Sequence, residues 1–568
     1  AAPRITSFTP NRSSAGASVV ITGTNLTGAT RVKFGAFDAA SFVVNSATQI
    51  TAVVGSNGSS GAVSVQTAGG TFSLNGFTFV PPAATLSGFM PASAAIGQTV
   101  VITGILLLVW WTFLSRAPNR LRLAITFGCV GLAVLGAALF RIRGMSGDLQ
   151  PIIEFRWAKP PEFPTASVSN TNLITTETDS RPNFPQYLGL NRDGILPGPK
   201  LETNWLAHPP EILWRQKVGA AWSGFVVVGA VCLTQEQRGT EDCVAAYELL
   251  TGKQLWRHAT TARYDTVIAG EGPRATPTVV SNRVFACGGT GILNCLDLAS
   301  GKLLWSRDLV AESGGKIPQW GYTCAPLVVD ELVIAHGGEG VARSLFAFNI
   351  ADGTRVWAGG TSSPSYSSPV LATLADVPQI LSFNDGSVSG HHPATGATLW
   401  EKSWGNGNVV CAAPVIISTN RVLFSSGYGV GAELLEIAAV NTNRLVARLV
   451  WKSIRMKSKF AHLYAQEGSL YGLDDGILAC VNLADGAQRW KEGRYGHGQG
   501  LRVGDRYLLL AESGELVLLN PTPEAPNELA RFRVFSSKTW NPPALSGDLL
   551  LVRNDQEAVC LRLKTTAD

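Results

Sequence analysis

One short pattern constrains the C-terminal two-thirds of this chain more than any other feature. A strand-like run ends in an acidic or polar turn, then Gly, three residues and Trp. It occurs five times: AYELLTGKQLW (Gly252, Trp256), CLDLASGKLLW (Gly301, Trp305), AFNIADGTRVW (Gly353, Trp357), HHPATGATLW (Gly396, Trp400) and CVNLADGAQRW (Gly486, Trp490). Trp451 of ARLVWKS follows a degenerate turn, Phe532 of ELARFRVF stands in for the ring, and Trp214 of PPEILWRQ comes early. Successive anchors are 42, 49, 52, 43, 51, 39 and about 42 residues apart. Periods of roughly 40–50 residues with strand–turn–strand content indicate propeller blades. Gly supplies the positive-φ position of each turn. The Trp four residues on faces a fixed side of the outer strand, where it fills the gap between neighbouring blades.

Each unit also has an approach to an innermost strand: AWSGFVVV, RATPTVV, TCAPLVV, YSSPVLA, VCAAPVII, KFAHLYA, GQGLRV and NPPALSG, eight in all. Trp214 precedes the first approach and so has no inner strands of its own, whereas NPPALSGDLLLVRNDQEAVCLRL at the C-terminus lacks an outer strand. The two complete one blade between them and remove the open edges. The expectation is an all-β, eight-bladed propeller over residues 186–568. Trp214, Trp256, Trp305, Trp357, Trp400, Trp451 and Trp490 are its structural anchors. Glu248, Asp297, Asn349 and Asn482 are expected to be turn acceptors.

This pattern resembles the PQQ-like β-propeller repeat family over about residues 183–565, and NFPQYLGLNRDGI resembles its usual lead-in. The family includes quinoprotein alcohol dehydrogenases and the lipoprotein propeller of the outer-membrane β-barrel assembly machinery, so the resemblance implies fold rather than activity. A quinoprotein of this family is expected to show an adjacent Cys pair, calcium-binding carboxylate and amide groups and a catalytic Asp. No Cys-Cys occurs here, and no Asp stands in a recognisable family context. No catalytic residue is carried over, and neither a cofactor nor a metal site is expected. PQQ with calcium belongs only to the alternative reading, a quinoprotein oxidoreductase acting on alcohols or sugars.

In any propeller the inner-strand approaches converge on one end of the central channel. Here they carry Trp222; Tyr264, Asp265, Glu271 and Arg274; Trp320 and Tyr322; Tyr366; Asn408; Lys459; His497; and Lys538, Trp540 and Asn541. Aromatic faces beside charges and amides suit a small polar ligand or a peptide. The competing reading is that these groups only satisfy one another around a crowded axis. The expected recognition residues are Trp222, Glu271, Arg274, Trp320, Tyr322, Tyr366, His497, Lys538, Trp540 and Asn541. His391-His392 reads as solvated surface at an outer turn rather than a metal pair.

The N-terminal part differs. Residues 3–80 alternate apolar and polar at period two in SVVITGTNL, RVKFG, QITAVV and AVSVQTAGG, with turn residues every 8–12 positions. That describes a small antiparallel sandwich. ITSFTPNRSSAGASVVITGTNLTGATRVKFG resembles the opening of an IPT/TIG immunoglobulin-like domain, assigned to residues 1–82, a family whose modules commonly bind or space within surface proteins. ATLSGFMPASAAIGQTVVITG then repeats residues 4–23 at an offset of 81, matching Phe8 to Phe89, Pro10 to Pro91, Gly16 to Gly97 and Gly23 to Gly104. This truncated second repeat, 83–104, is too short to form a sandwich. Its end near Gly104 joins two unrelated sequence histories. The opening AAPRITSFTP, without Met, reads as a processed or trimmed terminus.

From 105 to 143 the chain becomes membrane-like. LRLAITFGCVGLAVLGAALF (121–140) is nearly uncharged, and twenty residues at about 1.5 Å each cover a bilayer core of roughly 30 Å. The apolar stretch 100–114 is a shorter, marginal span. Arg116, Arg120 and Arg122 between them mark a short cytoplasmic connection by the positive-inside tendency. If both stretches span, the sandwich and the propeller lie outside the cytoplasm; if only the second does, they fall on opposite sides. A Pro/Ser/Thr-rich linker, 144–185, follows.

A net charge of +5 over 568 residues, without Lys/Arg runs, excludes a nucleic-acid partner. Nine cysteines form no CxxC and are expected as buried thiols in strands; Cys287 and Cys295 are hairpin neighbours able to pair under oxidation. Taken together, these features describe a membrane-anchored binding or assembly scaffold on the periplasmic or extracellular side, with the membrane and other proteins or peptides as partners.

Overall fold

The computed structural model describes residues 1–80, 111–112, 117–145, 151–157, 180–266, 268–405, 409–441 and 444–566. The truncated repeat 83–104, the apolar stretch up to Trp110 and most of the Pro/Ser/Thr-rich linker lie outside these residues. Two compact units, Ala1–Arg122 and Leu123–Asp568, are described separately.

Residues 4–80 form two stacked sheets. One orders Arg4–Thr9, Ser18–Thr24, Gln49–Val53 and Ser41–Ser46; the other orders Arg12–Ser14, Gly70–Val80, Gly61–Thr67, Arg31–Phe34 and Phe37–Asp38. Val19, Ile21, Ile50, Ala52, Val63 and Val65 are buried at every second position, as period-two strands require. The sandwich is not wholly antiparallel. Arg12–Ser14 runs parallel to Thr78–Val80, because the first strand switches sheets after Pro10.

Among the described residues the apolar segment contains one helix of membrane-spanning length, Asn119–Leu139, and none of that helix's residues is buried. The polar linker expected from residue 144 does not begin there. Phe140–Met145 pairs antiparallel with Pro151–Phe155.

Among the described residues from 180 to 566, eight antiparallel sheets follow one plan: an inner strand, two middle strands and an outer strand. By inner strand they begin at Val226, Thr278, Leu327, Val370, Val415, Tyr464, Gln499 and Ala544, and are called sheets 1 to 8. Sheet 8 takes its outer strand from the other end of the domain. Glu211–Lys217 pairs with Glu557–Arg562, with Trp214 opposite Cys560. Sheet 7 gains a fifth strand, Ile195–Leu196, parallel to its inner strand.

The Gly–Trp pattern has a double cause. Gly252, Gly301, Gly353, Gly396 and Gly486 have φ of 72°, 68°, 72°, 69° and 74°, as their turns demand. A Cβ on any of them would also strike the indole of the preceding sheet's anchor: Trp214, Trp256, Trp305, Trp357 and Trp451 in turn. Each of these indoles lies on the next sheet's turn and donates its N–H to a carbonyl there. Trp214 reaches Leu249 O at 2.9 Å, Trp256 Leu298 O at 2.9 Å, Trp305 Ile350 O at 3.0 Å, Trp357 Pro393 O at 3.1 Å and Trp451 Leu483 O at 2.8 Å. Trp490 keeps the bond, to Thr522 O at 2.9 Å, over a turn without glycine. Trp400 departs from the plan. The next sheet is the one with the degenerate turn, and Trp400 turns inward to Gln379 Oε1 of its own sheet at 2.5 Å.

The turn acceptors behave as expected: Asp297, Asn349 and Asn482 accept from the N–H groups of Ser300, Ala351 and Ala484, and Glu248 accepts from Thr251 Oγ1. All nine cysteines are free thiols, including Cys287 and Cys295. Seven are buried, Cys129 is exposed on the helix, and Cys411 is half-buried in a loop. His391 corrects the surface reading. It is fully buried, with Nε2 against Ser389 Oγ at 2.8 Å, because it is the last inward-facing residue of Ser387–His391. Only His392 is exposed.

Candidate functional site at the channel mouth

In seven of the eight sheets, the residue four positions before the inner strand begins lines a single cup. These are Trp222, Arg274, Thr323, Tyr366, Cys411, Phe460 and Trp540. The residue two places later often joins them, as with Thr276, Ala325, Ser368 and Pro542, and sheet 7 contributes Gln499 from the start of its inner strand. The residue between points sideways into the seam between sheets and is buried: Ser223, Ala275, Cys324, Ser367, Ala412, Ala461 and Asn541. Extended backbone alternates its side chains, so parity decides which residue of each approach meets the axis.

The cup holds about 150 Å³ and is mainly aromatic. Trp222 and Trp540 have ring centroids 4.9 Å apart, and Phe460 meets Trp540 edge-on at 5.2 Å. Both indole N–H groups are engaged, Trp222 with Ala269 O at 3.1 Å and Trp540 with Glu512 Oε1 at 2.9 Å. The rings therefore present faces rather than donors. Lys538 Nζ sits over both rings, 4.5 Å from Trp222 and 3.9 Å from Trp540, a cation–π arrangement. Arg274 stacks 4.3 Å over Tyr264 and gives its guanidinium to the carbonyls of Ala269, Gly270 and Gly272. Burial lowers its pKa to about 10. Cys411 is a thiol, pushed up to about 12 by burial, and a poor nucleophile in that state. Among the described residues the lining contains no carboxylate and no imidazole.

The floor comes from residues 184–196, which run as a strap across the inner strands. Phe184 bridges to Val227, Val279 N donates to Pro185 O at 2.8 Å, and Arg192 Nη1 and Nη2 donate to Pro326 O and Ala325 O at 2.9 Å. His462 Nε2 meets Asp193 O at 2.7 Å, and Ile195–Leu196 joins sheet 7. Sheets 1, 2, 3, 6 and 7 are tied by this one segment, and its Tyr187 faces the cup.

Of the expected recognition residues, Trp222, Arg274, Trp320, Tyr366 and Trp540 come together in the lining. The other five do not. Glu271 pairs with Arg263 at 2.5 Å on the surface. Tyr322 is buried against Gly291 of sheet 2. His497 is buried, its N–H donating to Glu512 and its Nε2 3.2 Å from Lys459 Nζ. Lys538 caps the rings from outside the lining. Asn541 donates to Ala221 O and Ser223 O at 3.0 and 2.8 Å, stitching sheet 8 to sheet 1. Asp265 pairs with Arg263 at 3.0 Å, and Asn408 lies outside the described residues. Sequence reasoning missed Thr323, Cys411, Phe460, Gln499, Tyr428 and Tyr187. Aligning the approaches on Pro277, Pro326, Pro369, Pro414 and Pro543 would have exposed Thr323 and Cys411 as members of one column, whereas the approaches holding Phe460 and Gln499 contain no proline. Nothing local marks Tyr187 or Tyr428.

Behind the lining, the seams hold buried titratable groups. Asp242 accepts from Gly289 N–H at 3.1 Å, and burial raises its pKa to about 7. His336 lies 2.9 Å from Cys324 Sγ through Nδ1, and burial lowers it to about 4, as it does His462.

Comparison with known proteins places this geometry. A family model described as outer membrane protein assembly factor BamB matches residues 240–492, and the IPT/TIG domain model matches residues 3–80. Among solved structures, quinohemoprotein alcohol dehydrogenase from Comamonas testosteroni is similar at a TM-score of 0.51 and 12% identity, covering 68% of this chain and 81% of its own. BamB from Moraxella catarrhalis gives 0.47 and 15%, covering 62% of this chain and all of its own. No curated protein matches the chain.

Proposed function

For a chain whose residues 3–80 match the IPT/TIG domain model and whose residues 240–492 match a model of PQQ-like propeller repeats, we propose the role of a membrane-anchored, extracytoplasmic binding scaffold. Its eight sheets are the blades of a closed ring, and a peptide or small polar ligand seats in the aromatic cup. One observation carries this reading. Among the described residues, the approach positions that face the axis supply rings, hydroxyls, one buried Arg and the high-pKa thiol of Cys411, without a carboxylate or imidazole among them to serve as acid or base. Rigid aromatics with an Arg are the usual anchors of recognition surfaces. The apolar helix Asn119–Leu139 is the anchor, and the likeness over residues 240–492 to the family of an assembly factor supports the scaffold role. The cup does not fit the calcium ion of a quinoprotein, since its lining offers no carboxylate among the described residues.

A photo-crosslinker replacing Tyr428, which is 39% exposed at the cup, tests this in intact cells. A discrete peptide or small-molecule adduct that disappears in the Trp320→Ala/Trp540→Ala variant is the expected result. Alcohol-dependent dye reduction by the purified protein after addition of PQQ and calcium would instead support the oxidoreductase and overturn the scaffold.

A further inference from the structure

The helix Asn119–Leu139 passes directly into a hairpin whose two faces differ. Phe140 stands opposite Phe155 and Ile142 opposite Ile153, so these four side chains share one face. Phe155 lies 4.7 Å from Phe140 and stacks on Trp157 at 5.4 Å. All five of these apolar residues are exposed, Trp157 by 62% and Ile153 by 60%. The opposite face carries Arg141 and Glu154, paired at 2.6 Å. The hairpin is also fixed to the helix. Arg156 donates its Nε to Ala137 O at 2.7 Å and its backbone N–H to Leu139 O at 2.9 Å, satisfying carbonyls of the last turn.

An isolated two-stranded ribbon is marginal in water, and one with five exposed apolar side chains needs a cover. Its position in the chain says what that cover is. Twenty-one helical residues span about 32 Å, the depth of a bilayer core. The residue after such a helix emerges among the headgroups, where aromatic rings are favoured because one side meets acyl chain and the other water. We infer that the paired strands Phe140–Met145 and Pro151–Phe155, with Trp157, lie flat in the headgroup layer, their Phe140–Ile142–Ile153–Phe155 face toward the acyl chains and their Arg141–Glu154 face toward water. The partner of this surface is the phospholipid bilayer itself. The inference rests on reading Asn119–Leu139 as a span.

The full-length protein, reconstituted in vesicles of phosphatidylethanolamine and phosphatidylglycerol, tests it. Benzoylphenylalanine is placed at Phe155, Trp157 or, on the opposite face, Glu154, and each variant is floated with the vesicles before irradiation. The expected result is lipid adducts several-fold more abundant from positions 155 and 157 than from 154, with unchanged flotation. Equal labelling of both faces, or adducts to a second copy of the chain or to its own propeller, would overturn the hairpin's seating while the span stands. A protein that does not float at all would overturn the span. Benzoylphenylalanine at Ile153 serves as a second probe should the Phe155 variant fail to accumulate.

Discussion

The outer belt and the inner ring of the propeller are both built by repetition, yet they differ in kind. At the outer belt the same residue recurs: six anchors of the set place an indole N–H on a carbonyl of the following turn. At the axis the equivalent position varies among sheets, through Trp222, Arg274, Thr323, Tyr366, Cys411 and Phe460, and only Trp recurs, at Trp540. A position that repeats one residue is solving one packing problem several times. A position that varies this widely is free of that problem, and recognition can be written there. The seams behind the inner ring also hold buried ionisable groups with shifted pKa values, Asp242 and His336 among them, whereas the belt's recurring contact is a ring with a neutral hydrogen bond.

The hardest way to break this contrast is to open the belt. Removing residues 541–568 takes away the inner strands that Glu211–Lys217 completes and exposes two sheet edges. The truncated protein should lose its cooperative melting transition in calorimetry; a transition like the parent's would mean that the ring does not depend on this closure. Next comes a single anchor. Trp256→Ala removes a ring only 6% exposed and its bond to Leu298 O, and should cost about 3–5 kcal/mol in urea unfolding. Adduct formation at Tyr428 should survive in whatever protein remains folded.

The inner seams should respond to pH where the belt does not. Asp242 has its pKa raised from 3.8 to about 7, so the stability associated with its protonated form is complete below pH 4 and is lost as pH rises to 7. Asp242→Asn keeps an acceptor for Gly289 and should stabilise the protein at pH 8 by on the order of 2–4 kcal/mol, the gain vanishing near pH 4. His336 and His462 act in the opposite sense. Their pKa falls from 6.5 to about 4, so stability present above pH 6.5 is lost as pH drops toward 4. The His336→Gln/His462→Gln variant should show a flatter melting-temperature profile across that window. The smallest stability change belongs to the cup. Trp320→Ala, at a half-exposed ring, should alter unfolding free energy by less than about 1 kcal/mol while abolishing ligand capture. A several-degree fall in melting temperature with capture intact would make the ring a structural plug and erase the contrast.

Much of the propeller was legible because its signals are local. A glycine at φ near 70° and a Trp four residues on are read within one turn, and their recurrence every 39–52 residues needs no knowledge of space. The same holds for the sandwich's period-two strands and for the uncharged helix. The site was legible only by half. Trp222, Arg274, Trp320, Tyr366 and Trp540 were identified by type, but Tyr322 and Asn541 were assigned to the axis although neighbouring alternation sends them into the seams. Glu271 reads as a ligand group from its position in the sequence, yet it is committed to Arg263.

What the sequence determined by itself is thus the repeating unit, because turn chemistry and strand alternation act between residues a few positions apart. Tertiary structure decided which side chains share a space. Trp214 meets Cys560 across 346 residues, Tyr187 reaches the cup from a strap tied to five sheets, and Trp400 turns inward to Gln379 and lies against Gly390 of its own sheet. Such contacts depend on the summed twist and spacing of whole sheets, and no single stretch of chain contains that information.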